Sequence, residues 1–253
     1  MSFYGTYESM NRLTVGDISL MQVETGLKFG IDALLLAAYV RQCGECAEFG
    51  AGSGAVSLLL ASRGRASHAD AIEIQKAQYD TLEKNVAANG LEGRVTPILG
   101  DIRRYRPVRH PDAVVTNPPF MRAGNGRISD DPGLYAARHE VNGGISDFCS
   151  SAAAVLGTGG AFYCVWRPDR LSDLMKAMSD SGLDLRRLTA VHHDISHPAS
   201  LVLCEARRGG ASDLFMTKPL LLYLPGRRGE DGMTDDMRYI YENGEFDGSY
   251  IHR

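Results

Sequence analysis

The chain has 253 residues and a formal net charge of −4, with 44% hydrophobic and 23% charged residues. This length allows one large α/β domain with a full core or two small domains, and the composition is globular rather than disordered or fibrous. No apolar run reaches the ~18 residues of a membrane span, and we expect no secretory signal in residues 1–5. The charge gives no overall attraction to nucleic acid, so an RNA substrate must be argued from site chemistry.

The cysteines and histidines are interpreted as structural residues. Five cysteines are spaced unevenly in a chain that needs no disulfide, which favours a reduced, cytoplasmic protein. Cys43 and Cys46 have a metal-like spacing, but no second pair is near, so we expect Cys46 to be a core residue. His192, His193 and His197 have no ligand pattern beside them and are predicted to be strand-end residues. We therefore expect no metal.

Strands and helices alternate along most of the chain. A short strand is predicted at residues 18–23 of a turn-rich start, and a peripheral strand at 219–224 of a less regular end. Helices are predicted over 33–40, 55–62, 75–89, 145–156 and 170–181, and strands over 46–49, 69–74, 95–99, 112–116, 161–166, 185–192 and 201–207. This alternation predicts βαβ units and a mostly parallel sheet with helices on both faces. The last two core strands, which have a short connection, predict an antiparallel edge hairpin.

The predicted organisation is a single domain. Residues 1–44 form an N-terminal cap and helix, residues 45–208 the core, and residues 209–253 a C-terminal extension.

A glycine-rich turn joins the first core strand to the following helix. Glu48 precedes Gly50, Gly52 and Gly54, and glycines here permit a tight turn and close approach of a ligand to the backbone. The segment also satisfies the looser dinucleotide pattern G-x-G-x-x-A, so it does not by itself separate cofactor classes. We expect it to bind a cofactor rather than to be a turn alone.

Two acidic residues follow the next two strands. Glu73 ends the second strand, where a carboxylate can accept hydrogen bonds from both ribose hydroxyls of an adenosine-containing cofactor. Asp101 follows the third strand and either accepts from the adenine amino group or caps a turn. We predict that both acids belong to the cofactor site.

Asn117-Pro118-Pro119-Phe120 follows the fourth strand, at the same edge as the glycine turn. The prolines remove two backbone donors, and Asn117 adds a side-chain acceptor. An amino group on an aromatic ring is a poor nucleophile, and two oxygen acceptors gripping its hydrogens turn its lone pair towards a sulfonium methyl group. Phe120 would stack on the flat substrate. These four residues are the predicted catalytic residues.

With these motifs the sequence resembles the class I methyltransferases that modify exocyclic amines and carry an N-P-P-[FYW] signature. Within that group it most resembles the bacterial tRNA1(Val) adenine-37 N6-methyltransferase family, through residues 28–36 and 137–140 besides the motifs. The resemblance is clearest over residues 12–207. It implies a Rossmann-like, seven-stranded sheet whose last strand is inserted antiparallel, with S-adenosylmethionine bound at the glycine turn, Glu73 and Asp101. Glu48 stands where aspartate is common.

Several arginines are candidates for contact with RNA. Arg122, Arg127 and Arg138 flank the catalytic loop, and we predict that they contact phosphates of an RNA that reaches Phe120. The basic run at residues 103–110 is interpreted as a solvated loop.

The expected function is methylation of adenine N6 in tRNA. Guanine N2 in ribosomal RNA and a glutamine amide in protein stay open as substrates of the same chemistry. From other classes, a nicotinamide-dependent oxidoreductase leaves residues 117–120 without a role, and the intact Asn117 argues against a non-catalytic cofactor-binding module.

Overall fold

The computed structural model describes residues 7–9, 12–15, 18–21, 30–118, 143–210 and 213–251. The strands are β1 Tyr7–Ser9, β2 Arg12–Val15, β3 Ile18–Met21, β4 Cys43–Phe49, β5 Ala66–Glu73, β6 Val95–Leu99, β7 Ala113–Thr116, β8 Ala161–Trp166, β9 Leu183–His192, β10 Ala199–Arg208, β11 Phe215–Met216 and β12 Leu220–Leu221. The α-helices are α1 Ile31–Tyr39, α2 Ala55–Ser62, α3 Lys76–Ala88, α4 Ile145–Val155, α5 Leu171–Asp180 and α6 Asp235–Asn243.

The central sheet is mostly parallel, as predicted. Its order is β11-β9-β10-β8-β7-β4-β5-β6, and β12 also pairs with β9. Strands β6, β5, β4, β7 and β8 are mutually parallel, and β10 is antiparallel to both β8 and β9. The carboxyl ends of β4, β5, β6 and β7 therefore lie at one edge, where ligands bind in open α/β sheets.

The sheet differs from the sequence-based expectation at one side. Nine strands are present among the described residues instead of the seven that the resemblance implied. The additional strands, β11 and β12, are two residues long each and pair parallel with β9. The hairpin of β9 and β10 is therefore covered on its outer side and is not the edge of the sheet. The C-terminal segment supplies this cover, and β12 lies within the predicted peripheral strand.

Helices cover both faces of the sheet because its inner strands are apolar on both sides. All six residues of β8 are buried, which is typical of a strand with helices above and below. Tyr163 and Val165 join the core under α1 and α2, whereas Phe162, Cys164 and Trp166 join the core under α4 and α5. This period of two along β8 divides the core into two layers.

The N-terminal strands β1, β2 and β3 form a separate antiparallel sheet that is attached to α3 by two asparagines. Asn89 bonds both the backbone N–H and the carbonyl of Ser19. Asn85 does the same with Met21 and also donates to the carbonyl of Ser53 at 2.8 Å. One buried side chain therefore connects the N-terminal sheet to the turn that follows β4.

A buried ion pair fixes the end of α1 against the hairpin. The Arg187 guanidinium lies 2.9 Å from the Glu205 carboxylate, and both side chains are buried. Arg187 also donates to the Tyr39 carbonyl at the end of α1 and stacks 3.7 Å from the Tyr39 ring. A guanidinium at the carboxyl end of a helix is favoured by the helix dipole.

Among the described helices none has the length and apolarity needed to cross a membrane.

Candidate active site

The turn after β4 is held against β5 by its backbone. The N–H groups of Gly50 and Ala51 both donate to the Ile72 carbonyl, at 3.0 and 2.9 Å. Gly50, Gly52 and Gly54 all have positive φ, at 70°, 56° and 88°, which is unfavourable for residues with a Cβ. The turn therefore requires glycine at the three positions that the sequence indicated.

The three glycines have different surroundings. A Cβ at Gly52 would have no atom of the described residues within 4 Å, whereas one at Gly54 would collide with the Leu82 side chain of α3. Space is thus open beside Gly52 and closed beside Gly54. Gly52 leaves room for a ligand, and Gly54 lets α3 pack closely on the turn.

Glu48 lies beneath this turn with only 3% of its surface exposed. Its Oε2 accepts from the Ser57 backbone N–H at 2.8 Å and from the Ser57 hydroxyl. Burial is the main cause that raises the pKa of Glu48 to about 7, and the two bonds from Ser57 oppose this. Glu48 therefore joins the end of β4 to the first turn of α2. In the structure the Glu48 carboxylate accepts hydrogen bonds from Ser57 of the same chain. A contact between Glu48 and the cofactor stays a prediction.

Glu73 lies at the end of β5 beside the glycine turn. Its Oε2 accepts from the Gly52 N–H at 2.8 Å, and its Oε1 accepts from the Gln75 N–H at 2.7 Å. Burial raises the pKa of Glu73, and these backbone bonds counteract the rise. Each carboxylate oxygen keeps acceptor capacity beyond one bond. The carboxylate is thus oriented beside the open space at Gly52, where ribose hydroxyls are predicted to bind.

Asp101 follows β6 and has, in the structure, the capping role that the sequence left open, whereas its contact with the cofactor stays a prediction. It caps a 3-10 turn by accepting from the Arg103 N–H at 2.9 Å. The Arg103 guanidinium also donates to both of its carboxylate oxygens, which holds the pKa of Asp101 below its ordinary value. The structure thus shows Asp101 as the cap of this turn. An adenine amino group would share this carboxylate with Arg103.

Asn117 lies beside the glycine turn because β4 and β7 are neighbours in register. Phe49 pairs with Thr116, and the Thr116 hydroxyl donates to the Phe49 carbonyl at 2.9 Å. The next residues along the chain are Gly50 and Asn117, so both leave neighbouring parallel strands at the same edge of the sheet. The structure therefore brings the first residue of the catalytic motif to the predicted cofactor turn. Pro118 follows it and is buried.

The sequence analysis assigned no role to Asp32, which contacts Asn117. Asp32 lies in the first turn of α1, and its Oδ2 accepts from the Asn117 Nδ2 at 3.0 Å. The signal available in the sequence was an acidic residue two positions after a glycine, at the start of an otherwise apolar helix. Asn85 was missed as well, although its spacing of four from Asn89 indicated a polar stripe on α3.

Pro119, Phe120, Arg122, Arg127 and Arg138 lie outside the described residues.

The interpretation of the cysteines and histidines can be compared with the structure. Cys46 is buried, as predicted. His192 ends β9, and His193 and His197 follow it at the tip of the hairpin. Among the described residues no group of three or more potential ligand side chains could hold a metal ion.

Comparison with known proteins identifies the family. The model of the Methyltransferase small domain matches residues 22–180 of the chain. The chain belongs to this methyltransferase family. The match includes the glycine turn, Glu73, Asp101 and residues 117–120, so all the predicted cofactor and catalytic positions lie inside it.

Two relatives carry the name tRNA1(Val) (adenine(37)-N6)-methyltransferase. The protein of Aeromonas hydrophila subsp. hydrophila is 30% identical over 186 residues, which cover 72% of this chain and 78% of that protein. The protein of Dyadobacter fermentans is 24% identical over 224 residues, or 87% of this chain and 90% of that protein. The family match and these relatives support the resemblance predicted from the motifs.

The fold is also that of solved methyltransferase structures. A predicted O-methyltransferase from Agrobacterium tumefaciens superposes with a TM-score of 0.64 at 20% identity, covering 85% of this chain and 97% of that chain. The chain is accordingly a class I, S-adenosylmethionine-dependent methyltransferase. The oxidoreductase alternative does not explain the family match.

Proposed function

We propose that this methyltransferase transfers a methyl group from S-adenosylmethionine to the N6 amino group of an adenine in tRNA. The observation that carries the proposal is the position of Asn117 at the carboxyl edge of the sheet, one strand from the glycine turn. An amide acceptor at that place suits an amino group that must be held beside a methyl donor. The names of the two relatives support tRNA adenine as the substrate.

The residues around the glycine turn fit the cofactor. In the part of the chain that the structure describes, an added Cβ at Gly52 would meet no atom, which leaves the backbone there accessible to a ligand. Glu73 is oriented by backbone donors beside that space, and Asp101 provides a carboxylate at the neighbouring strand end. Glu48 stabilises the turn from below through Ser57. When bound, the cofactor supplies an electrophilic methyl group on a sulfonium.

Asn117 would act by gripping and orienting the amine. The lone pair of an exocyclic amine is delocalised into its ring, so the nitrogen is a weak nucleophile. The Asn117 Oδ1 and the Pro118 carbonyl would accept the two amino hydrogens and favour a tetrahedral nitrogen. The new C–N bond then forms as the S–C bond breaks, and the nitrogen loses one proton to solvent. Positioning supplies most of the rate increase, and no strong base is required.

Product identification tests the proposal. The protein would be incubated with methyl-labelled S-adenosylmethionine and separate pools of unmodified tRNA, ribosomal RNA and protein, and each pool digested and analysed by mass spectrometry. We expect N6-methyladenosine from the tRNA pool. N2-methylguanosine from ribosomal RNA or methylglutamine from protein would overturn the substrate, and transfer to none of the pools would overturn the proposal altogether.

A further inference from the structure

The contact between Asp32 and Asn117 joins two distant parts of the chain at the active site. Asp32 belongs to the first turn of α1, ahead of the core, whereas Asn117 follows β7. The donor Nδ2 and the acceptor Oδ2 are 3.0 Å apart. The two side chains are 85 positions apart in sequence, so this hydrogen bond belongs to the tertiary structure and not to the local structure of α1 or β7.

The chemistry of the two groups fixes the direction of this bond. An ionised carboxylate only accepts hydrogen bonds, whereas an amide has a donor end and an acceptor end of nearly the same shape. Only the NH₂ end of Asn117 can therefore face Asp32. The Oδ1 of Asn117 must lie on the other side of the amide plane. Without a partner the amide can turn over and present donors where an acceptor is needed.

Gly30 leaves room for the Asp32 carboxylate beside the backbone that precedes α1. A Cβ at Gly30 would collide with the Asp32 Oδ1, so the carboxylate lies against the backbone at the residue before α1. Gly30 has φ −115°, which residues other than glycine adopt easily, so contact with Asp32 is what demands glycine there. Glycine at position 30 therefore permits the Asp32 carboxylate to lie where it meets Asn117.

We infer that Asp32 is a positioning residue that keeps the acceptor end of Asn117 turned towards the substrate amine. The inference rests on the proposed function, since it matters only if the Asn117 Oδ1 accepts from an amino group. Asp32 does not itself contact the substrate in this account. Its carboxylate selects one of two amide orientations.

A series of substitutions at Asp32 separates this role from a packing role. Asp32→Ala provides no partner, Asp32→Asn accepts either end of the amide, and Asp32→Lys provides only donors. We expect kcat on unmodified tRNA to fall several-fold in the first two variants and about a hundredfold or more in Asp32→Lys, which would hold Asn117 the wrong way round. The affinity for S-adenosylhomocysteine should stay within about twofold in Asp32→Ala and Asp32→Asn.

A double-mutant cycle and a spectroscopic measurement complete the test. In an Asn117→Ala background, Asp32→Ala should cause no further loss in single-turnover rate, because both act through one amide. In the free protein, the side-chain amide ¹⁵N resonance of Asn117, assigned by its loss in Asn117→Ala, should shift in Asp32→Ala. Arg109 is exposed and precedes β7. Arg109→Ala is therefore the control variant, and it should change neither the single-turnover rate nor the Asn117 amide resonance.

The outcomes distinguish the inference from the proposed function. Additive losses in the cycle, an unshifted amide resonance, or a loss of cofactor affinity parallel to the loss of activity would overturn the role of Asp32. Unchanged activity in Asn117→Ala would overturn the assignment of Asn117 as the acceptor, and with it the role of Asp32, whereas the absence of N6-methyladenosine in tRNA treated with wild type would overturn the proposed function instead. An inactive Asn117→Ala with fully active Asp32 variants would leave the proposed function standing and remove Asp32 from it.

Discussion

Glu48 makes the stability of the protein dependent on pH in a way that one substitution should remove. The pKa of this buried carboxyl is raised from 4.5 to about 7, chiefly by burial. A raised pKa means that the folded state favours the protonated form. Glu48→Gln is a neutral replacement of similar shape that can still accept from the Ser57 N–H.

The magnitude follows from the shift. A rise from 4.5 to about 7 corresponds to a contribution on the order of 3 kcal/mol at about 1.4 kcal/mol per pH unit. The favourable contribution is fully present below the unfolded value of 4.5. It is lost as the pH rises towards about 7, because the unfolded chain then releases a proton that the folded chain retains. Above that pH the difference is constant.

The assay is urea denaturation of wild type and Glu48→Gln from pH 5 to pH 8. The free energy of unfolding of the variant, relative to wild type, should increase by roughly 2–3 kcal/mol over this range. The pKa of Glu73 is also raised; Glu73 is present in both proteins, so its own titration cancels apart from its charge interaction with Glu48, the smallest cause of the Glu48 shift. Glu92→Gln, an exposed residue, should show no such change. Parallel curves for wild type and Glu48→Gln would refute the argument.

Three further substitutions test the turn and its support. Gly52→Ala should weaken binding of S-adenosylhomocysteine more than tenfold in calorimetry, because the new methyl group occupies the space predicted for the ligand. It should cost only about 1 kcal/mol of stability, because the positive φ is the one strained feature. Gly54→Ala should cost more, about 2–4 kcal/mol by denaturation, because its Cβ also meets a packed side chain; equal costs in the two variants would contradict this. Asn85→Ala removes three bonds and should cost roughly 3 kcal/mol and speed amide exchange at Met21. Asn243→Ala, which removes one exposed bond, is its control.

The core of the fold could be predicted because buried parallel strands and their helices are continuous apolar runs ended by glycine turns. The bounds of α2, β6 and β8 agree with the sequence-based ranges residue for residue. The places of Glu73, Asp101 and Asn117 follow from the same rule, since the residues at or just past the end of each parallel strand lie at the carboxyl edge.

The remaining features depend on contacts that local sequence does not encode. The docking of β3 on α3 requires Asn85 to meet a strand 64 positions earlier. Helix α6 buries only Met237 and Ile240, so its apolar pattern is too sparse to indicate a helix. The bond from Asn117 to Asp32 likewise depends on the completed sheet, which brings α1 to the end of β7.

The most direct test of the account is the single-turnover rate of methyl transfer to unmodified tRNA by wild type and Asn117→Ala, with S-adenosylhomocysteine affinity measured for both. The account predicts a rate lower by about two to three orders of magnitude in the variant, as for loss of a group that stabilises the transition state, with cofactor affinity unchanged. Equal rates in the two proteins would contradict the assignment of Asn117 as the acceptor for the substrate amine.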